Sequence, residues 1–425
     1  MPELARLPSI EAPGPLRREP ALDGVRGLAL LGVMLFHFTM FEQSGQPLYR
    51  TALRLATVGW VGVDVFFVLS GFLITGILLD TKDGPSFFRN FYVRRALRML
   101  PLYYAALAMA MLALLVSVGA QTPEARALLA RQVWLWTYAT NIEFTIAGHW
   151  DFNIGRVWLN HFWSLAVEEQ FYLVWPVVVL ALSRRALAVS TLALAVAAPL
   201  LRAIMIADGI RPGIVLTFTP CRLDELALGA LAAVLVRVPA LRPPVLRALP
   251  CLTVAALPPL AWLLWTRKLY WLDPIVNIAA STPLAVLSAV VILQCALEPD
   301  SGLARVLRSR LLRFLGKYSY GTFVFHYMFW PVLEEYLPAD GLTSASGSEL
   351  LGLGGHVLIG VAVSLAAGFA SYRFLERRFL ELKGNFAYAV RVPTLDPAPR
   401  AEPAAAPELD ERPTVARPAR APLDA

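Results

Sequence analysis

The residues of this chain that could do chemistry lie inside long apolar stretches. The first stretch, LDGVRGLALLGVMLFHF at residues 22–38, carries Asp23, Arg26 and His37 among leucines and phenylalanines. In an α-helix, the eleven residues from Arg26 to His37 return to within roughly 20° of the same face, about 16 Å further along. An imidazole at such depth is costly unless something uses it. We therefore expect a reactive group at His37, rather than a histidine that only hydrogen bonds a neighbouring helix.

Two more ionisable residues fall at a similar predicted depth, Asp64 in GWVGVDVFFVLSGFLITG and His326 in YSYGTFVFHYMFWPVLEE. A buried carboxylate beside an imidazole fixes the tautomer of the ring and raises its basicity, as a general base requires. We therefore expect Asp64 to orient His37. Ser70 and Gly71 follow Asp64, and we interpret them as small residues that allow close helix contact rather than as a site of nucleophilic chemistry.

An arginine-rich stretch, RNFYVRRALRMLPLYY, precedes the third apolar run. Arg95 and Arg98 are three residues apart on one predicted helix face, and Arg94 is adjacent. Guanidinium pairs of this kind bind phosphate through bidentate hydrogen bonds. Arginines also collect at the cytoplasmic ends of membrane spans for reasons of topology alone, and the sequence leaves both interpretations open. As a binding site, the three arginines would hold an anionic donor that arrives from the cytosol.

The stretch NHFWSLAVEEQFYLVWP places polar residues on one predicted helix face. His161, Ser164, Glu168 and Tyr172 fall at i, i+3, i+7 and i+11, with Glu169 beside them. Burying two adjacent glutamates inside an aromatic span costs free energy that a purely structural role does not justify. We therefore expect both to take part in catalysis, in the outer half of the bilayer. The candidate catalytic residues are Arg26, His37, Asp64, Glu168, Glu169 and His326.

A second charged group, in CRLDELALGALAA, is predicted at the same outer height. Arg222 and Glu225 share a helix face, and Asp224 is close to both. These residues could bind a substrate, or they could form an ion pair that holds helices together. The segment WLWTYATNIEFTIAGHW could stack on a sugar, but we favour an ordinary interfacial aromatic belt for it. The candidate substrate-binding residues are Trp163, Ser164, Arg222 and Asp224.

Composition restricts the class of protein that carries these residues. Of 425 residues, 57% are hydrophobic and 16% are charged, and the mean hydropathy is +0.58. An ordinary soluble domain of this length is less apolar, so the chain is expected to be an integral membrane protein. Cys221, Cys251 and Cys295 occur singly, a pattern that indicates neither a disulfide framework nor a zinc site, and we expect no metal cofactor.

The elements that must position these residues are apolar runs close to the 20 residues that cross a bilayer. We therefore predict an all-α protein, a polytopic transmembrane helical bundle of about ten spans. The predicted spans are residues 24–42, 56–79, 99–118, 164–183, 186–206, 222–238, 248–266, 275–297, 318–337 and 352–376.

Lys and Arg near the span ends predict the orientation. The basic residues collect on the side that holds both termini, which predicts that both termini are cytoplasmic. We expect the protein in the inner (plasma) membrane of the cell. Basic loops beside anionic lipid account for the net charge of +7 without a nucleic-acid partner. We predict a polar cytoplasmic segment at 1–21 without a cleavable signal, a transmembrane domain at 22–385, and a disordered Pro- and Ala-rich cytoplasmic tail at 386–425.

From about Leu22 to Leu380, the chain resembles the membrane acyltransferase 3 family, the multi-pass O-acyltransferases of bacterial envelope polysaccharides, lipopolysaccharide, nodulation factors and some macrolides. The resemblance rests on several ordered motifs, and Arg26 and His37 match the family's pattern of Arg, ten residues and His. The motifs are LDGVRGLALLGVMLFHF, GVDVFFVLSGFLIT, RRALRMLPLYY, WSLAVEEQFYLVWP, RLDELALGAL, SYGTFVFHY and LERRF.

The resemblance implies transfer of a short acyl group, usually acetyl from acetyl-CoA, to a hydroxyl of a sugar, polysaccharide, glycolipid or glycosylated metabolite. It implies His37 and Arg26 as the catalytic pair, with Arg95 and Arg98 near the acyl-CoA. The phosphates of coenzyme A suit the inner arginines, and its pantetheine arm could carry the thioester to His37. Direct transfer and an acyl-enzyme both remain open. Some relatives append an extracytoplasmic transferase domain, and we expect any such partner here to be a separate protein.

Two other classes use the same residue types. A proton-coupled transporter or a flippase of a lipid-linked sugar would use intramembrane His, Asp and Glu as a proton relay. A membrane scaffold would use the buried charges only to lock helices together. The scaffold hypothesis predicts that substitutions at Arg26, His37 and Glu168 lower the amount of protein, whereas the enzyme hypothesis predicts lower activity at an equal amount of protein.

Overall fold

The computed structural model of the chain describes residues 19–42, 46–117 and 122–388. The chain divides into the units Met1–Val390 and Arg391–Ala425. The predictions for the N-terminal segment and the Pro- and Ala-rich tail therefore fall almost entirely outside the described residues.

Ten long helices account for most of the described residues, and each of the ten predicted spans overlaps one of them. They are α1 (Pro20–Thr39), α2 (Gly62–Thr81), α3 (Phe87–Ser117), α4 (Phe162–Ala181), α5 (Arg184–Ala207), α6 (Leu223–Val236), α7 (Arg242–Arg267), α8 (Ser281–Leu297), α9 (Arg310–Tyr336) and α10 (Glu349–Ser371).

Shorter elements connect the long helices. The short α-helices are Pro47–Thr57, Pro123–Arg131, Val133–Trp136, Thr140–Ala147, Pro212–Thr217, Pro274–Ala279, Gly302–Leu307, Ala339–Ser346 and Arg377–Glu381. The 3₁₀ turns are Val58–Val61, Thr219–Arg222, Pro239–Leu241 and Leu382–Phe386, and Tyr372–Glu376 is a π-helical turn. Among the described residues, the strands Asn153–Ile154 and Val157–Trp158 form a two-stranded antiparallel sheet in which Asn153 pairs with Trp158.

The length and composition of these helices fit a membrane protein. Within the described ranges, seven helical stretches are long and apolar enough to cross a membrane, and Ser281–Leu297 is a shorter apolar helix. Helices α6 and α9 are outside this group, since α6 has 14 residues and α9 carries basic residues in its first turns. The predicted fold class, an all-α polytopic bundle, is confirmed.

Local sequence signals explain where several helices begin. Helix α1 starts with Pro20, whose missing N–H costs nothing in the first turn of a helix. Helix α5 follows Ser183, whose hydroxyl accepts a hydrogen bond from the backbone N–H of Ala186 at 3.2 Å. The large side chains of Tyr103, Phe144 and Phe162 are fully buried in one apolar core.

Helices α1 and α9 run parallel and pack backbone against backbone. A Cβ atom added at Gly316 of α9 would lie 1.8 Å from the carbonyl oxygen of Asp23 in α1. Further along, His326 of α9 lies beside His37 of α1. Only glycine allows so close a contact, and the contact fixes the relative height of the two helices.

Helices α2 and α6 form a second close pair. A Cβ added at Gly71 would lie 2.0 Å from the carbonyl oxygen of Leu226, and one at Gly229 would lie 1.9 Å from that of Val68. The interpretation of Gly71 as a residue that allows close helix contact is thus confirmed. This contact turns toward α6 the face of α2 that carries Asp64.

Candidate active site

Two adjoining cavities lie within the helical bundle, each of about 640 Å³. We call them the basic cavity and the aromatic cavity. The polar residues of the basic cavity are Arg26, Ser70, Arg95, Arg98, Ser164, Glu168, Tyr172, Ser319 and Tyr320. Val63, Ser164 and Phe323 line both cavities. The two spaces are therefore separated by no more than a shared wall of three side chains.

Three guanidinium groups converge on the basic cavity. Arg26 of α1 pairs with Asp23 at 3.3 Å, and Arg95 lies over the ring of Tyr172, 5.0 Å from its centroid. Neither Arg95 nor Arg98 forms an ion pair or a hydrogen bond with any residue of the described ranges. Their N–H donors are thus free to bind an anion. Arg95 and Arg98 share a helix face, as the sequence predicted, and the structure adds Arg26 of α1 to the same cavity.

Arg94 departs from the prediction. Its guanidinium donates hydrogen bonds to the backbone carbonyls of Lys383 and Phe386, at 2.8 and 3.2 Å, and lies over the ring of Tyr388. Adjacent residues of a helix point about 100° apart, so Arg94 cannot share the direction of Arg95. It lines neither cavity.

Glu168 lies in the basic cavity rather than beside Arg222. Its Oε1 accepts a hydrogen bond from the hydroxyl of Ser70 at 2.6 Å, and the hydroxyl of Tyr172 donates to Ser70 at 3.0 Å. The predicted helix face is correct, because Ser164, Glu168 and Tyr172 line the same cavity. The predicted difference in depth between Glu168 and the arginines is wrong, because helix α4 brings Glu168 into the cavity lined by the arginines of α1 and α3.

Glu169 does not join Glu168. It lines a third cavity with Tyr138 and Gln170, and it contributes to neither the basic nor the aromatic cavity. The rotation of about 100° between adjacent helical residues again accounts for the difference. The sequence predicted a catalytic role for both glutamates, but only Glu168 lines the basic cavity, whereas Glu169 shares the third cavity with Arg95.

The aromatic cavity contains His37 and four indole rings. Trp150 and Trp271 are stacked, with centroids 5.4 Å apart and an angle of 26° between the rings. The indole N–H of Trp150 is buried and has no hydrogen-bond partner among the described residues. Other lining residues are Phe36, Trp60, Asn160, His161, Trp163, Arg222 and Tyr327. Trp163 and Arg222, two of the predicted substrate-binding residues, therefore belong to the cavity that holds His37.

A second imidazole contacts His37. The Nδ1 atom of His37 lies 3.0 Å from Nε2 of His326 and 3.1 Å from the backbone carbonyl of Val33. The Nδ1 atom of His326 lies 2.6 Å from the carbonyl of Phe323. His326 is fully buried, whereas His37 is half-buried on the cavity wall. The structure thus brings together the two histidines that the sequence singled out.

Asp64 does not orient His37, which corrects the prediction. Its Oδ1 accepts a hydrogen bond from Arg222, and Arg222 also contacts Glu225 at 3.0 Å and Ser281 at 3.1 Å. The physical reason is the close contact of α2 with α6, which turns the face that carries Asp64 toward Arg222. The groups within hydrogen-bond distance of Nδ1 of His37 are the Val33 carbonyl and the His326 ring.

Asp224 is part of the scaffold rather than of a binding site. Its carboxylate forms a two-point ion pair with Arg202, at 3.0 and 2.8 Å, and accepts a hydrogen bond from Thr282 at 2.6 Å. Asp224 and Arg202 are fully buried and line neither cavity. Of the two interpretations of the charged group in α6, the ion pair between helices holds for Asp224.

Sequence reasoning missed several residues of the site. Arg202 stands alone among apolar residues of α5, and that isolation was a signal of a buried ion pair. Asn160 and Tyr327 line the aromatic cavity, and no spacing signal marks them. Within the described residues, no group of three or more His, Cys, Asp and Glu side chains is placed to hold a metal ion.

Comparisons with known proteins bear on this geometry. The sequence pattern of the acyltransferase domain matches residues 19–373. A protein of Listeria monocytogenes named peptidoglycan O-acetyltransferase OatA is 27% identical over 369 residues, which cover 84% of this chain and 55% of that protein. YrhL of Bacillus subtilis, whose name assigns it provisionally to the peptidoglycan O-acetyltransferases, is 29% identical over 388 residues, which cover 84% of this chain and 54% of YrhL.

The chain thus spans about half the length of these two relatives. No solved structure matches the chain. The match to the acyltransferase domain contains both cavities and every candidate site residue from Arg26 to His326.

Proposed function

The chain belongs to the acyltransferase 3 family, and from that premise we propose a membrane O-acyltransferase that moves a short acyl group, acetyl in the first instance, from acyl-CoA to a hydroxyl of a sugar or envelope polysaccharide. The enzyme class is one that transfers groups other than aminoacyl groups. We propose that acyl-CoA enters on the cytoplasmic side, that both termini lie on that side, and that the protein resides in the plasma membrane.

One observation carries the proposal. A cavity with three guanidinium groups and a cavity with an imidazole on its wall share Val63, Ser164 and Phe323. A reaction between an anionic donor and a polar acceptor needs two such spaces that meet at a base. Arg26 and His37 belong to the same helix, so one rigid element would set the distance between the donor's anionic groups and the base.

The basic cavity suits the donor. The phosphate groups of coenzyme A carry one or two negative charges each. An arginine can bind two oxygens of such a group through two parallel hydrogen bonds. Arg95 and Arg98 have N–H donors that no described residue uses. The narrow pantetheine arm would extend past the shared wall toward His37. The acyl-CoA acts as a co-substrate.

The chemistry follows from the position of His37. In a direct transfer, Nε2 of His37 takes the proton of the acceptor hydroxyl while the oxygen forms a bond to the thioester carbonyl carbon. The carbon–sulfur bond then breaks, and the coenzyme A thiolate receives the proton from His37. The products are the O-acyl ester and free coenzyme A, and the base is returned to its starting state.

The aromatic cavity suits a carbohydrate acceptor. Aromatic faces with a few convergent polar groups are typical of small-ligand sites, and an indole combines an apolar face with one N–H donor. Trp150 offers such a buried N–H without a partner in the described part of the chain. The names of the relatives specify peptidoglycan, which supports a polysaccharide or a precursor of one as the acceptor.

The direct test supplies acetyl-labelled coenzyme A to membranes that contain the full chain and follows the label. Release of coenzyme A together with label in envelope glycans is the expected result. Uptake or export of a sugar without label transfer would instead indicate the transporter or flippase. Because relatives are about twice as long, the same measurement with extracytoplasmic proteins present and removed tests whether a separate transferase completes the reaction.

We expect the double substitution Arg95→Ala with Arg98→Ala to raise the KM for acetyl-CoA by about 100-fold, since each charge-assisted hydrogen bond contributes roughly 1.5–3 kcal/mol. The kcat should change much less, because His37 lies in the other cavity. Initial rates against acetyl-CoA concentration check this. The matched control is Arg94→Ala, the neighbour that points away from the cavity, and an equal KM for both variants would refute the donor site.

We expect Trp271→Ala to raise the KM for the acceptor about tenfold while leaving the KM for acetyl-CoA unchanged, because the stacked ring lines the aromatic cavity and not the basic cavity. The measurement is the rate against acceptor concentration at saturating acetyl-CoA. Trp265→Ala is the control, since that ring is 89% exposed on α7. If both variants behave alike, the ring of Trp271 has no role in binding the acceptor.

A further inference from the structure

We propose that His326 is a positioning residue that fixes the tautomer of His37, so that Nδ1 of His37 carries the proton and Nε2 is the base. The assignment of a role to Nε2 rests on the proposed function, whereas the tautomer itself follows from hydrogen-bond geometry alone. In this arrangement a second imidazole orients His37, the role that the sequence predicted for Asp64.

The argument starts at the backbone of α9. A carbonyl oxygen only accepts hydrogen bonds, and the carbonyl of Phe323 lies 2.6 Å from Nδ1 of His326. That distance requires a proton on Nδ1 of His326. In the neutral ring the other nitrogen, Nε2, is then an acceptor with a lone pair.

The lone pair of His326 determines the state of His37. Two acceptors face Nδ1 of His37, the Nε2 atom of His326 at 3.0 Å and the carbonyl of Val33 at 3.1 Å. A nitrogen between two acceptors must be the donor, so Nδ1 of His37 is an N–H. The other nitrogen, Nε2, is left unprotonated, and no described residue hydrogen bonds to it. It belongs to a half-buried ring on the wall of the aromatic cavity.

The opposite assignment is unfavourable. With the proton on Nε2 of His37, its Nδ1 would need a donor, and His326 could donate from Nε2 only by carrying protons on both nitrogens. His326 is 0% exposed and forms no ion pair with a described acidic residue. A charged ring without a partner at such a site costs several kcal/mol. The neutral pair of rings has one arrangement that satisfies every contact.

The same contact matters during the reaction. When Nε2 of His37 takes the acceptor proton, the ring becomes an imidazolium whose Nδ1–H already points at two acceptors. A charged donor strengthens both hydrogen bonds, so the cation is stabilised without a buried carboxylate. His161 is a third ring in this group, with its centroid 5.3 Å from that of His326, and its Nε2 donates to the carbonyl of Val324 at 3.0 Å.

The first experiment reads the tautomer and needs no activity. The full chain has five histidines, and ¹⁵N labelling of their rings in membranes gives one pair of signals per residue, with His37 identified by its loss in His37→Gln. We expect a protonated Nδ1 and an unprotonated Nε2 at His37 in the wild type. A protonated Nε2 overturns the proposal even if the protein transfers acyl groups.

The second experiment separates positioning from support of the fold. Gln can place an acceptor atom where Nε2 of His326 lies, and Leu cannot. We expect His326→Leu to lower kcat by about 100-fold with the KM for acetyl-CoA unchanged, since misplacing a catalytic proton costs that much or more. His326→Gln should stay within about tenfold of the wild type. His356→Gln is the matched control, a buried histidine of α10 that lines neither cavity.

The outcomes are distinct. Rescue by Gln together with a changed His37 tautomer in the Leu variant supports the proposal. Equal loss in both variants with an unchanged His37 tautomer refutes it and leaves His326 as a packing residue. If the wild type shows the expected tautomer but no acyl transfer to any glycan, the proposed function fails while the tautomer assignment stands.

Discussion

Replacing His37 by Ala is expected to lower acyl transfer about 100- to 10,000-fold at an unchanged amount of protein, because that is the contribution a general base typically makes. The basic cavity does not include His37, so the affinity for acetyl-CoA should stay within about twofold of the wild type. Label transfer from acetyl-CoA in a single turnover measures the first quantity, and equilibrium binding measures the second.

The control for this variant is His149→Ala, since His149 is exposed in a loop and lines neither cavity. Transfer at the wild-type rate by His37→Ala would remove the base from the mechanism. Loss of acetyl-CoA binding together with activity would indicate instead that His37 supports the structure, as the scaffold hypothesis requires.

Replacing Arg222 by Leu is expected to destabilise the protein by about 3–5 kcal/mol, the cost of leaving buried carboxylates without their cation. Arg222 is 1% exposed, its partners Asp64 and Glu225 are 0% exposed, and it also donates to Ser281. The substitution leaves two carboxyl groups between α2, α6 and α8 without a counter-ion. The measurement heats the protein in detergent and uses size-exclusion chromatography to record how much of the peak of folded protein remains.

Two comparisons make this prediction specific. Arg267→Leu removes a partly exposed ion pair with Asp273 at 3.5 Å and should cost no more than about 1 kcal/mol. Adding Asp64→Asn and Glu225→Gln to Arg222→Leu should restore part of the lost stability, because neutral amides are less costly to bury than unpaired carboxylates. If Arg222→Leu and Arg267→Leu are equally stable to heat, the buried ion pairs of Arg222 do not contribute to the stability of the fold.

The His37 and Arg222 variants together also distinguish an enzyme from a scaffold. A scaffold requires that His37 and Arg222 behave alike, with a loss of protein in both cases. An enzyme requires that His37 affect the rate alone and that Arg222 affect stability first. Equal protein with lost transfer at His37, beside lost protein at Arg222, is the pattern expected for an acyltransferase whose ion pairs hold its helices in place.

The sequence by itself determined the class of fold and the family. Apolar runs of about 20 residues reflect the thickness of a bilayer, and this local requirement marked all ten long helices in their order. Helical periodicity is equally local, so it also predicted that Ser164, Glu168 and Tyr172 share a face. The ordered motifs indicated an acyltransferase, and the match over residues 19–373 confirms the family.

Only the tertiary structure decided which side chains meet. The rotation of a helix about its axis and its height beside a neighbour depend on contacts such as those at Gly71 and Gly316, hundreds of residues from their partners in some cases. These contacts place Asp64 within hydrogen-bond distance of Arg222, and they place His326 beside His37, 289 residues away in the sequence. Local propensity carries no information about such pairs, because packing between helices sets them.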